Sequence, residues 1–351
     1  MTRHVGFHES AAMTPVAALL RIPSNEPSLD GGDVGRLWLD RGETRIRLGS
    51  EDRPQPRLVA ITRSAGLGIA ARQVSFWLVL RGTARVACRE GRFQLETGAW
   101  LALDHDSQPT ITVDPRALVV AVLLPSAGPM ALQRDGWPPL FPGRGRIGLR
   151  DRRLAFAHCR RAGLFASASC ADVDIASLRH MAHFLSSLQS GLVPLLERCP
   201  GRALWRRRLL MARLQSASLY VDGNLHRSVP LAELANLIHF SPWYFHKTFH
   251  AVYGEGPREM ASRLRLQMAA DLVAHTDLSI GEVGSRCGFQ NACSFARAFR
   301  ARYGVSASTY RSSQRDVARC EPGIPRPGRP GVPAGRARHP APHASTSTHN
   351  P

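Results

Sequence analysis

Between Arg57 and Pro125 the chain runs in short β-rich stretches: RLVAITR, QVSFWLVLRG, TARVACR, FQLETG, WLALD, PTITVD and ALVVAVLL. Each is closed by Gly, Pro or Asp, and strands at this spacing predict an antiparallel sandwich or barrel. Gly82, Gly91 and Gly98 separate consecutive runs, as in a small barrel built from hairpins. From Asp151 to about Leu210 the period lengthens to that of a helix. Leu178, Met181, Leu185, Leu188, Leu192 and Leu196 recur at three and four residues, so one face is buried, either against the barrel or against a second subunit. Residues 1–35 mix Gly, Pro, Ser and charge without periodicity and read as a mobile N-terminal arm. Residues 316–351 are Pro/Gly/Arg-rich with almost no large apolar side chain, a composition that leaves a tail disordered.

The most informative pattern is an internal repeat. Leu231, Glu233, Leu234 and Phe240 correspond to Ile280, Glu282, Val283 and Phe289 at an offset of 49. Phe245, Phe249, Tyr253 and Gly254 correspond to Phe295, Phe299, Tyr303 and Gly304 at an offset of 50, so one residue is inserted in the turn between the halves. Each copy predicts a short helix (about 231–238 and 280–287), a tight turn and a second helix. Ser279-x-x-Glu282 has the form of a capping box, and Pro230 stands at or beside the first helical position of the other copy. Ser241-Pro242 and Asn291 start the second helices. There Phe245/Phe249 and Phe295/Phe299, at i and i+4, bury one face. The opposite faces carry Trp243, His246, Lys247 and His250 in one copy, and Cys293, Arg297 and Arg300 in the other. Two such units, joined by an amphipathic helix over 262–276, predict a double helix-turn-helix. A rigid linker of this kind would set two reading helices about one DNA turn, roughly 34 Å, apart.

Charge agrees with this reading. The formal net charge is +19, and the stretch 206–315 holds 15 basic residues against 7 acids, a denser excess than that of residues 1–205. A polyanionic partner is favoured. The signal is tempered by composition, because Lys247 is the only lysine among 46 basic residues and an arginine-rich proteome raises every count. Seven scattered cysteines with no C-x-x-C pair suit reduced thiols in a cytoplasm. Neither a signal peptide nor a membrane-spanning run is evident, so a soluble cytoplasmic protein with no membrane association is expected.

At this point the residues resemble a known family. Residues 206–313 are similar to the DNA-binding domain of the AraC/XylS family of bacterial transcription regulators, through SP-W-Y-F-x-K-x-F, G-x-G-P, Arg265-Leu266-x-x-Ala269, Ser279-Ile280-x-Glu282-Val283, Gly288-Phe289, S-F-A-R-A-F and Tyr303-Gly304-Val305-Ser306 with Tyr310-Arg311. The β-rich segment resembles the cupin-like sensing domains often placed before such modules. The resemblance implies that Trp243, His246 and Lys247 read bases from the first unit, and Ala292, Cys293 and Arg297 from the second. Arg297 is the leading reader, since a guanidinium pairs bidentately with guanine O6/N7. Ser241 and Asn291, at helix N-termini, suit phosphates. It also implies activation through contact with RNA polymerase, with a small-molecule effector and a homodimer as further partners. Gly284 stands where the family has Ala, which costs about 1 kcal/mol in a helix interior. Ser294 replaces a common aromatic and Ala307 a usual proline, so the second unit is expected to read fewer bases or to be less stable.

The expected fold class is therefore α+β. A mobile arm (1–35) precedes a cupin-like β-barrel sensing domain (36–150), then a helical linker or dimerisation region (151–205). An all-α double helix-turn-helix domain (206–315) and a tail (316–351) follow. Phe76, Trp77, Arg81 and Trp100 are candidates to line a ligand cavity in the barrel. His246-x-x-x-His250 has helical metal spacing but lacks a third ligand, and His105 is the only histidine between His8 and His158, so no metal, cofactor or enzyme activity is expected. The rival reading is a non-specific nucleic-acid-binding or packaging protein that uses charge alone.

Overall fold

The computed structural model describes residues 36–48, 56–125, 136–165 and 175–320. The arm (1–35) and the tail beyond residue 320 lie outside the described residues. Two compact units emerge: one holds the chain up to Asn224 together with Val229–Met260, the other Leu225–Ser228 together with the chain from Ala261 onward. This division falls inside the helix-turn-helix region.

The first unit contains eleven strands among the described residues: β1 (Arg36–Leu39), β2 (Thr44–Leu48), β3 (Arg57–Thr62), β4 (Gly66–Ile69), β5 (Gln73–Arg81), β6 (Thr83–Cys88), β7 (Gly91–Glu96), β8 (Ala99–Leu103), β9 (Thr110–Val113), β10 (Leu118–Pro125) and β11 (Gly143–Arg146). They form a six-stranded sheet, β1-β3-β10-β5-β8-β11, and a five-stranded sheet, β2-β4-β9-β6-β7. Pairing is antiparallel except that β1 runs parallel to β3 and β2 parallel to β4. Gly91 does sit at a hairpin, between β6 and β7, whereas Gly82 and Gly98 carry the chain from one sheet to the other. Gly82 takes φ +75° at its crossing, and a Cβ there would lie 2.7 Å from the Ala117 backbone.

The six-stranded sheet is buried on both faces, which is why its strands read as continuous apolar runs. On β5 the side chains of Trp77 and Val79 enter the core between the sheets, while Val74, Phe76, Leu78 and Leu80 enter a second core. That second core is covered by helices α1 (Leu149–Arg161) and α2 (Ile175–Ser187). Leu178, Met181 and Leu185 are buried there, so the leucine stripe packs on the sheet. The stripe is not one helix: α2 stops at Ser187, and Leu192 and Leu196 fall in a 3₁₀ turn (Ser190–Leu192) and in α3 (Val193–Arg198). Gly191 and Pro194 disfavour a continuous helix. The buried Gln189 fixes the break by accepting from the Phe141 N–H (3.0 Å) and donating to its carbonyl (2.7 Å).

Helix α4 (Leu204–Gly223) shows that residue 206 is not a clean boundary. Its Leu219 is buried in the core between the sheets. Its last turn rests on the β6–β7 hairpin, where Asn224 Nδ2 donates to the Glu90 carbonyl (2.8 Å) and Arg144 pairs with Asp222. The backbones of Gly91 and Gly223 meet directly there. At the other end of the chain, α10 (Ala307–Cys320) continues through residues 316–320, a correction to the tail expected from 316. The first helix breaker after Ala307 is Pro322, so nothing in the sequence stops the helix at 316. Among the described residues, no helix is long and apolar enough to cross a membrane.

Gly223→Ala tests the joint between α4 and the hairpin. The added methyl would press on the Glu90 carbonyl and sit 2.9 Å from Phe93 Cζ. Urea denaturation of the full chain should show a loss of about 1–3 kcal/mol, as for overpacking. Gly281→Ala, with nothing within 4 Å of its new methyl, should show no loss. Equal behaviour of the two variants would mean that α4 is not seated on the hairpin.

Candidate nucleic-acid interface

Each copy of the repeat folds as a short helix, a turn and a longer helix. The first, in the first unit, comprises α5 (Leu231–Leu237) and α6 (Pro242–Tyr253); the second, in the second unit, comprises α8 (Ile280–Arg286) and α9 (Ala292–Tyr303). Helix α7 (Pro257–His275) links them in sequence and starts five residues before the expected 262. Pro257 at its first position, and Glu259 accepting from the Gly256 N–H at 2.8 Å, make that earlier start.

Both turns are closed by the same backbone bond, Phe240 N–H to the Ala235 carbonyl (2.9 Å) and Phe289 N–H to the Gly284 carbonyl (3.0 Å). The residue before each phenylalanine is left-handed: His239 at φ +57° and Gly288 at φ +76°. Glycine is required at 288, because a Cβ would press on the Leu225 carbonyl. Gly284 also has a packing cause. A methyl there would meet the Phe295 ring at 3.1 Å, so the glycine lets the ring close on α8 and offsets part of its helix penalty.

Helix starts follow the expected chemistry. Ser241 Oγ accepts from Tyr244 N–H (3.3 Å), and Asn291 Oδ1 from Ser294 N–H (2.7 Å). The capping box at Ser279 and Glu282 is complete, with bonds of 3.2 and 2.7 Å. Backbone and hydroxyl hydrogen bonds from Ser279 hold the Glu282 carboxyl below its usual pKa. The second helix of each copy ends on a left-handed glycine, Gly254 or Gly304.

The aromatic pairs set the orientation. Phe245, Phe249, Phe295 and Phe299 are at most 1% exposed, with ring centroids 5.3 Å apart in one copy and 5.6 Å in the other. Behind them, Phe249–Tyr253 and Phe299–Tyr303 repeat the same tilted contact at 4.4 and 4.6 Å. Opposite them, Trp243, His246, Lys247 and His250 are exposed on α6, as are Ala292, Cys293, Arg297 and Arg300 on α9. Trp243 is 70% exposed, and Lys247 Nζ lies 5.0 Å from its ring centroid, so the lysine is held over the indole. Ser241 and Asn291 are exposed at the helix starts. Their capping bonds use oxygen as acceptor, which leaves the Ser241 O–H and the Asn291 amide N–H₂ to donate outward. Tyr244, 41% exposed on the first turn of α6, packs edge-on against Phe240 at 5.1 Å.

Residues 234–313 match the family described as the Helix-turn-helix domain. The chain is similar to the regulatory protein PocR of Salmonella typhimurium, 31% identical over 100 residues that cover 28% of this chain and 33% of that protein. It is also similar to the probable transcriptional regulator LumQ of Photobacterium leiognathi, 31% identical over 91 residues, 26% of this chain and 37% of that protein. A solved structure of a probable AraC family transcriptional regulator from Rhodopseudomonas palustris CGA009 is 27% identical, covering 29% of this chain and 96% of that one at a TM-score of 0.28. Residues 234–313 thus form a helix-turn-helix domain. The chain spans about a third of the length of the curated relatives it matches.

Within the helix-turn-helix domain, one arginine braces the chain ahead of each copy. Arg265 donates from Nε and Nη2 to the Leu225 and Arg227 carbonyls (2.7 and 2.6 Å), and Arg311 likewise to those of Val273 and Leu278 (3.2 and 2.6 Å). Away from this domain, the four ligand candidates do not converge. Trp77 lies in the core between the sheets and donates to Ser75 Oγ (2.9 Å), and Arg81 is exposed at the end of β5. Phe76 and Trp100 are brought together, stacked at 5.2 Å in the core beneath α1 and α2. His105 lies between Asp104 (2.7 Å) and Asp106 (3.3 Å), and its hydrogen bond to Asp104 raises its pKa. Among the described residues no group of three or more His, Cys, Asp or Glu could hold a metal ion.

Loss of a cap and loss of a ring should differ in size. Asn291→Ala removes one capping bond and should cost about 0.5–2 kcal/mol in chemical denaturation. Phe299→Ala opens the core behind α9 and should cost about 3–5 kcal/mol. A ring variant no worse than the cap variant would contradict the burial described for Phe299.

Proposed function

We propose that the protein is a sequence-specific DNA-binding transcription regulator, an effector-responsive activator that acts in the cytoplasm. It reads two successive major grooves of double-stranded DNA with α6 and α9. The observation that carries this reading is the matched pair of twelve-residue helices, each with its phenylalanines buried and the opposite face exposed, with Trp243, His246, Lys247 and His250 on one and Arg297 and Arg300 on the other. Trp243, His246 and Lys247 read bases from the first helix, with the indole placing the ammonium. Arg297 does the main reading from the second, flanked by the small Ala292 and Cys293, which add little discrimination. Ser241 and Asn291 donate to phosphates and set the register. RNA polymerase is the protein partner through which a bound activator acts. Cys88, Cys159, Cys199, Cys287 and Cys293 are free thiols, in agreement with a reducing compartment.

A packaging protein would use the +19 charge without needing two matched helices. Binding to the cognate site and to variants altered in either half, at fixed salt, separates the readings. Arg297→Ala should lose about 1–3 kcal/mol and relax specificity in one half only. Lys247→Ala should do the same in the other half, and the two losses should add. If both substitutions weaken every sequence equally, the two residues hold phosphates and the base-reading assignment fails.

A further inference from the structure

Helix α4 carries a basic face for which the two matched helices give no reason. Between Glu197 and Asp222 every charged residue is an arginine: Arg198, Arg202, Arg206, Arg207, Arg208 and Arg213. Arg206, Leu209, Leu210 and Arg213 recur at i, i+3, i+4 and i+7, so they share one face of α4. That face forms one wall of an open groove of about 330 Å³ in the first unit. Phe240, in the turn of the first repeat, and Tyr244, on the first turn of α6, form the other wall. Among the described residues no aspartate or glutamate lines it. Each arginine is held by a ring: Arg206 Cζ lies 5.1 Å from the Trp205 centroid, and Arg213 Cζ 5.4 Å from that of Phe240. A ring occupies one flat side of a guanidinium and leaves the N–H edge to donate. Phe240 in turn meets Tyr244, and Tyr244 adjoins Trp243, over which Lys247 is held. Three cation–ring pairs thus run from α4 onto the exposed face of α6.

We propose that this groove takes the sugar-phosphate backbone of double-stranded DNA beyond the base pairs that α6 faces, so that the first unit grips more of the duplex than the second. The proposal rests on α6 being a DNA-reading helix. Arg206 and Arg213 lie two helical turns, about 10 Å, apart along α4. That length spans about three phosphates at 3.4 Å of helix axis each along one strand. Both guanidiniums donate to phosphate oxygens, with the Tyr244 hydroxyl beside them. DNA fits better than an acidic protein because the row of charge continues onto the face of α6. The second repeat has Ser294 where the first has Tyr244, so its turn lacks that aromatic wall.

The test uses the full chain and duplexes of equal length that carry its selected site, with affinity measured across a salt series. Replacing about three phosphates beyond the block assigned to α6 with neutral methylphosphonates should weaken binding at least about ten-fold, the loss expected for charge-assisted bonds. The same replacement beyond the α9 block should change it little. Arg206→Gln, at an exposed position, should weaken binding to the unmodified duplex about ten-fold and lower the salt slope by about 1. It should leave binding to the neutralised duplex unchanged. Arg160→Gln, exposed on α1, removes the same charge and should do none of this. Equal affinity for all duplexes, Arg206→Gln acting on both duplexes alike, or a matching effect of Arg160→Gln would each overturn the proposal. So would unchanged DNA affinity of Arg206→Gln with loss of transcription, which would put an acidic protein in the groove. Selective binding indifferent to the neutral phosphates sinks the groove alone. Binding without sequence preference, with the salt slope on random duplex still lowered by Arg206→Gln, keeps the groove and sinks the reading helices.

Discussion

A twelve-residue helix that buries two phenylalanines one turn apart has no freedom in which side it shows to solvent. Phe245 and Phe249 fix α6 in this way, and Phe295 and Phe299 fix α9. Rotation of either helix would expose two aromatic rings, each worth about 1.5–3 kcal/mol of burial. The exposed face is thereby held as firmly as the core, and a reading surface needs that property, since a misplaced base contact loses its discrimination. The left-handed residues 239 and 288 and the capped starts at Ser241 and Asn291 then set where each reading helix begins.

Helix α4 extends the same logic to the barrel. It gives Leu219 to the core between the sheets, seats its last turn on the β6–β7 hairpin, and reaches α5 through Tyr220. The barrel and the first helix-turn-helix unit therefore share a structural element. A fragment cut at residue 206 would lose the cover over Leu219, so the barrel is part of what holds that unit in shape.

The all-α part was the more legible because its signals are local. Caps, prolines, terminal glycines and the period of the phenylalanines lie within a few residues of what they control. The late start given to α7 came from following the apolar period from Ser262 and passing over the Pro257 and Glu259 start signal. In the barrel, β1, β4 and β11 carry no clear alternation; GLGI and GRGR owe their strand state to partners far along the chain. Gly82 and Gly98 looked like hairpin turns because a glycine with positive φ serves equally well where a strand crosses between sheets. The ligand candidates illustrate the limit of composition: neighbouring Phe76 and Trp77 point to opposite faces of one strand and belong to different cores.

Two matched helices on one chain are the centre of this account, and selection of bound duplexes from a random pool by the full protein tests them most directly. A two-block motif is expected, its centres about one helical turn, roughly 10–10.5 base pairs, apart. A guanine should fall in the block that Arg297 faces, as judged by its loss with Arg297→Ala. Enrichment of one block alone, or of no sequence over the starting pool, would contradict it.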